Sequence, residues 1–86
     1  MAQLTKKVRQ QLLDQNEGFT RRTYYEGRNS REERIYTISG GHLHIRAIGK
    51  TSGADSRYDD EWVASDEEVH RFLYGYQYEM NTDGIG

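Results

Sequence analysis

The chain has no cysteine, which excludes disulfides, thiolate zinc sites and a cysteine nucleophile. The missing disulfide staple fits a reducing compartment. No apolar stretch approaches the roughly 18 residues that a membrane span needs. The opening Met1-Ala2-Gln3-Leu4-Thr5-Lys6-Lys7 has basic residues with no apolar segment after them. No secretory signal is read there, and a cytoplasmic location without membrane association is expected. No period of about 20–50 residues repeats, and no low-complexity block appears. Apolar residues are scarce, at 34% with a mean hydropathy of −1.05. Seven Tyr, two Phe and one Trp supply bulk that disordered chains lack. The 86 residues are therefore read as one small domain with a modest core, residues 81–86 forming a frayed tail.

Charge is divided along the chain. Residues 1–50 carry ten Lys/Arg against five Asp/Glu, and residues 51–86 carry two against nine. The balance swings from +5 to −7 within a total of −2. A field split in this way favours a partner of matching charge pattern and speeds encounter with it.

Leu4, Val8 and Leu12 recur every four residues with Leu13 beside them, the stripe of an amphipathic helix. Asn16-Glu17-Gly18 supplies its stop. Residues 19–26 are largely β-branched, aromatic or arginine and read as a strand; Gly27-Arg28-Asn29-Ser30 reads as a turn. Residues 32–39 and 42–48 are two further strands joined at Gly40-Gly41, where both turn positions require positive φ. That turn sets a register: Ile38 faces Leu43, Tyr36 faces Ile45 and Arg34 faces Ala47 on the side expected to meet the helices. Residues 49–59 read as an exposed loop, and Glu61-Trp62-Val63-Ala64 as a short fourth strand. Ser65-Asp66-Glu67-Glu68 is a capping box. It opens a helix whose Val69, Phe72, Leu73, Tyr76 and Met80 share one face. The expected fold is α+β: an N-terminal helix, a three- to four-stranded antiparallel sheet and a C-terminal amphipathic helix, with both helices on one sheet face.

Gly49-Lys50-Thr51 follows a strand as the tail of a phosphate-binding loop does. The motif also needs a glycine five residues before Gly49, where His44 stands. His42 and His44 share one strand face and can reach one metal ion, so metal binding through them is an alternative reading; no third ligand is fixed by spacing. Asp55, Asp59, Asp60 and Glu61 lack the alternation and central glycine of a calcium loop. No glycine-flanked nucleophile elbow surrounds any serine. No catalytic residue and no cofactor is expected.

Two surfaces remain. His70, Tyr74 and Tyr78 recur every four residues, away from the apolar stripe of the last helix. Exposed tyrosines flanked by carboxylates have the composition of a protein interface. The leading expectation is a non-catalytic protein-binding module, an inhibitor or adaptor. Its Asp55, Asp59, Asp60, Glu61, Asp66 and Glu67 face a basic partner, such as a nucleic-acid-binding surface, and Tyr74 and Tyr78 anchor it. In size, acidity and absence of motifs the chain resembles accessory proteins encoded by phages and mobile elements. Some of those act in anti-defence, blocking nucleases or CRISPR complexes by covering a nucleic-acid groove with carboxylates. The alternative is a nucleic-acid-binding domain that uses Arg21, Arg22, Tyr24, Arg34, Tyr36 and Arg46 on the strands. A homodimer through an uncovered edge strand is a further expectation.

Overall fold

The computed structural model describes residues 3–51 and 56–85. In chain order it contains α1 (Lys6–Gln15), β1 (Thr20–Glu26), β2 (Ser30–Ser39), β3 (His42–Thr51), β4 (Ser56–Val63) and α2 (Asp66–Tyr76), then a single 3₁₀ turn over Gln77–Glu79. The strands make one antiparallel sheet in the order β1-β2-β3-β4, a simple meander with β1 and β4 at its edges. This is the α+β arrangement that the sequence predicts.

The β2–β3 hairpin turns at Gly40 and Gly41, whose φ angles of 63° and 78° are open to glycine at little cost. Its register pairs Ile38 with Leu43, Tyr36 with Ile45 and Arg34 with Ala47, as the turn dictates. Two strands run further than their composition suggests. β3 continues through Gly49 and Lys50 to Thr51, and β4 begins at Ser56, so most of the expected loop over residues 49–59 is strand. The short fourth strand over residues 61–64 is instead the end of an eight-residue strand. The reason lies in β2, which is ten residues long and offers its backbone to β3 as far as the Ser30–Thr51 pair. Residues 52–55, Asp55 among them, lie outside the described residues. Gly49 weakens a strand by itself, but the Tyr58 ring crosses it: a Cβ at Gly49 would meet the ring at 2.2 Å. An aromatic side chain laid over a strand glycine restores the packing that glycine lacks.

The core lies between the turn-proximal half of the sheet and the two helices. Ile38, Leu43 and Ile45 from the sheet meet Leu4, Leu12 and Leu13 around α1, and Val69, Phe72, Leu73 and Met80 around α2. Each such side chain contributes about 1.5–3 kcal/mol when fully buried. Phe72 is the aromatic hub. It stacks on Tyr36 at 4.9 Å, tilts against Tyr76 at 4.8 Å and meets Phe19 edge-on at 6.2 Å. One residue thereby ties α2 to β2 and to the entry into β1.

Local chemistry sets the helix ends. Thr5 accepts a hydrogen bond from the Val8 amide at the start of α1. At α2 the full capping box is present: the Glu68 amide donates to Ser65 Oγ at 3.3 Å, and the Ser65 amide donates to Glu68 Oε1 at 3.0 Å. After α2 the chain returns to the end of α1. The Asn81 amide donates to Asn16 Oδ1 at 2.8 Å, and Asn16 Nδ2 donates to the Asn81 carbonyl at 2.9 Å. Within the segment whose composition suggests fraying, Gln15 Nε2 reaches the Asp83 carbonyl at 2.9 Å, and Ile85 packs against the core.

Among the described residues the hydrophobic cluster takes none from positions 23–34 or 46–61. That part of the sheet extends past both helices as an arm, and the molecule is elongated, 50 × 23 × 19 Å. Ser65→Ala removes one half of the cap on the helix that clamps the sheet. It should lower unfolding free energy by about 1 kcal/mol, read as a drop in thermal midpoint of about 4–8 °C by circular dichroism.

Candidate functional site

A chain of polar contacts crosses the helix-facing side of the sheet where the apolar core ends. Tyr58 Oη donates to Glu32 Oε2 at 2.5 Å, and Arg34 Nε donates to Glu32 Oε1. The Arg34 guanidinium lies 5.8 Å from the Trp62 ring centroid. Trp62 Nε1 in turn donates to the Glu68 carboxylate at 3.2 Å. β4, β2 and the N-terminus of α2 are thus joined through side chains that the sequence pattern alone does not pair. The Tyr58 hydroxyl, then Arg34, hold Glu32 below the usual carboxylate range. The Ser65 backbone N–H does the same for Glu68, with help from Trp62. Bonding to Glu32 raises Tyr58. Beside Arg34, Glu68 and Phe72 a cleft of about 180 Å³ opens, below the roughly 300–1,000 Å³ of small-molecule sites. These polar groups partner one another and work as structure.

The outer face of α2 is different. Tyr74 on α2 and Tyr78 in the 3₁₀ turn that follows it are 68% and 76% exposed. Asp66 and His70 precede them at four-residue steps and are also exposed. Glu67, one turn before Arg71, pairs with it at 2.6 Å. Tyr78 borders a cleft of about 400 Å³ of mixed lining, walled by Val8, Leu12, Met80 and Ile85 together with Gln77 and Thr82. Val8 and Ile85 are contributions that the sequence pattern did not assign to this surface. The signal for Val8 is its place in the α1 stripe, but Ile85 carries no comparable sign.

The carboxylates assigned to this surface do not gather on it. Asp59 and Glu61 project from β4 onto the sheet face opposite the helices, and Asp60 projects onto the helix side, as strand alternation requires. Asp59 is held bidentate by Arg46 at 2.6 and 2.9 Å, which lowers the carboxyl and raises the guanidinium. Asp60, Glu61 and Asp66 make no ion pair among the described residues. Of the five described acidic positions, Asp66 and Glu67 alone are placed on the α2 surface with Tyr74.

The arginine- and tyrosine-bearing set is also divided. Arg21, Arg34 and Tyr36 lie on the helix side, and Arg22, Tyr24 and Arg46 on the open side. Each of its arginines has a carboxylate: Arg21 with Glu79, Arg22 with Glu33 at 4.0 Å, Arg34 with Glu32, and Arg46 with Asp59. Tyr36 is half-buried under Phe72. The His42 and His44 rings sit edge-on with centroids 6.5 Å apart, and His44 Nε2 is 3.2 Å from the Ser39 carbonyl. Among the described residues no third His, Asp or Glu joins them in a metal-holding group.

No family model, curated protein or solved structure matches the chain.

Glu32 and Glu68 give up their protons more readily folded than unfolded, so the unfolded chain takes up protons first as pH falls. Their stabilisation is complete above the ordinary glutamate value of about 4.3 and drains as pH drops through and below it. Urea midpoints between pH 7 and pH 3 should therefore fall for the wild type. The Glu32→Gln/Glu68→Gln variant, weaker at neutral pH, should show a shallower decline.

Proposed function

We propose that the chain is a non-catalytic protein-binding module, an inhibitor or adaptor that acts by occupying a partner's surface through the outer face of α2. The observation that carries this reading is the pair of tyrosines left in solvent, Tyr78 of them beside a cleft. Tyr74 and Tyr78 are large amphipathic side chains with few rotatable bonds, and side chains of this kind anchor interfaces at low entropic cost. The clamping half of α2 is already spent on the sheet, through Val69, Phe72 and Leu73. Nothing in the fold requires tyrosine on the other half. The cleft between Val8, Met80 and Ile85 offers a depression for an apolar side chain of the partner. Asp66 and Glu67 at the start of the helix bias that partner toward a basic surface.

The pairing of Arg21, Arg22, Arg34 and Arg46 with carboxylates favours this reading over nucleic-acid binding through those residues. An arginine that already accepts an internal counter-charge has less to gain from phosphate.

Tyr74→Ala/Tyr78→Ala should keep the wild-type circular dichroism spectrum, because both rings are exposed. The variant should bind a partner captured from the native host at least tenfold more weakly, about 1.4 kcal/mol or more. Surface plasmon resonance on the purified partner supplies the measurement. Undiminished affinity would remove the anchor assignment.

A further inference from the structure

Near the tip of the arm the sheet departs from the cross-strand pairing of Arg22 with Glu33 and Arg46 with Asp59. Cross-strand register sets Glu26, Arg31, Lys50 and Arg57 in one row across the four strands, all on the open face. Three cations therefore stand abreast on β2, β3 and β4, one strand spacing of about 4.8 Å apart. Like charges directly opposite destabilise a sheet. Glu26 offsets part of this, 3.5 Å from Arg31. Lys50 and Arg57 have no ion-pair partner among the described residues. Arg28, exposed in the β1–β2 turn, adds a further positive charge without one. Protection of a sheet edge accounts for a charge on β4. It does not account for two more on the inner strands. A local rule broken without internal compensation marks a functional position.

A groove of about 510 Å³ runs beside the row, with Ile48 and Tyr24 among its walls. Tyr24 is 62% exposed on the same open face. Glu33 and Asp59 also border the groove, but Arg22 and Arg46 already hold them.

We propose that this end of the sheet binds a single-stranded nucleic acid. Lys50, Arg57 and the exposed Arg28 of the adjoining turn, which lines one depression with Lys50, take backbone phosphates, and Tyr24 offers its ring to an unstacked base above the apolar wall of Ile48. Cations in line beside an exposed aromatic on an open sheet are the recognition chemistry of single strands, for which a duplex offers no free base face. The surface shares no residue with the α2 face, so either one can fail without the other.

The test is fluorescence anisotropy with a labelled oligothymidylate of about 15 nucleotides, at about 50 and about 200 mM NaCl. Three phosphate contacts on a single strand give a log–log salt slope of about −2, and hence a Kd about twentyfold weaker at the higher salt. Lys50→Glu/Arg57→Glu should weaken binding at least tenfold, and Tyr24→Ala severalfold. Lys6→Glu/Lys7→Glu on α1, which changes net charge equally, should stay within about twofold of wild type. Equal loss in the α1 variant would overturn the site. Absence of binding by the wild type at low salt would also overturn it. Displacement by polyglutamate as effective as by unlabelled oligonucleotide would reassign the surface to acidic polypeptides. A duplex of the same length binding equally tightly would remove the stacking role of Tyr24.

Discussion

The β2–β3 pairing is the interaction on which the other elements depend. Two glycines at positive φ close the hairpin, and the register they impose puts Ile38, Leu43 and Ile45 on one face together. A slip of one residue would turn that set to solvent. β1 and β4 then add to the two sides of a hairpin already in register. Both helices can cover only the face where the apolar pairs lie.

The hairpin is also longer than its helical cover, and that mismatch explains the polar character of the rest. Ten-residue strands reach well past α2, where no hydrophobic cluster can form. Side-chain bonding takes over at that boundary. Glu32 collects Tyr58 and Arg34, and Glu68 collects Trp62 and the Ser65 amide. A single glutamate thus caps α2 and fixes the indole of β4. The open face follows a plainer scheme of cross-strand ion pairs, Arg22 with Glu33 and Arg46 with Asp59. Against that background the uncompensated Lys50 and Arg57 stand out.

Much of the fold was legible from residue pattern. The Gly40-Gly41 turn, the Ser65–Glu68 box and the Val69–Phe72–Leu73 stripe each rest on local rules with a single geometric solution. The length of β3 and β4 was not legible, because Gly49, Lys50, Thr51 and Ser56 are turn-like in composition, and it is the start of β2 at residues 30–32 that holds the end of β3 extended for β4 to pair with. Helical phase set Tyr74 and Tyr78 off the buried stripe but left cover by the sheet edge or α1 open; the structure leaves both exposed. The scatter of Asp59, Asp60 and Glu61 follows from a different cause. A run read as loop puts its carboxylates on one rim, whereas the same run as strand sends alternate side chains to opposite faces. The bond from Tyr58 to Glu32 was likewise not legible, since it requires residues 56–59 to be strand rather than loop.

The reciprocal amide clasp between Asn16 and Asn81 spans 65 positions of the chain. The sheet, by contrast, grows from neighbour to neighbour. Short-range hairpins close early because little loop entropy is lost, whereas a long closure waits until the elements between are in place. The clasp should therefore be among the last contacts made on the folding route. By the same reasoning it opens in the least costly excursion from the native state, exchanging its amide protons well before those of β2 and β3.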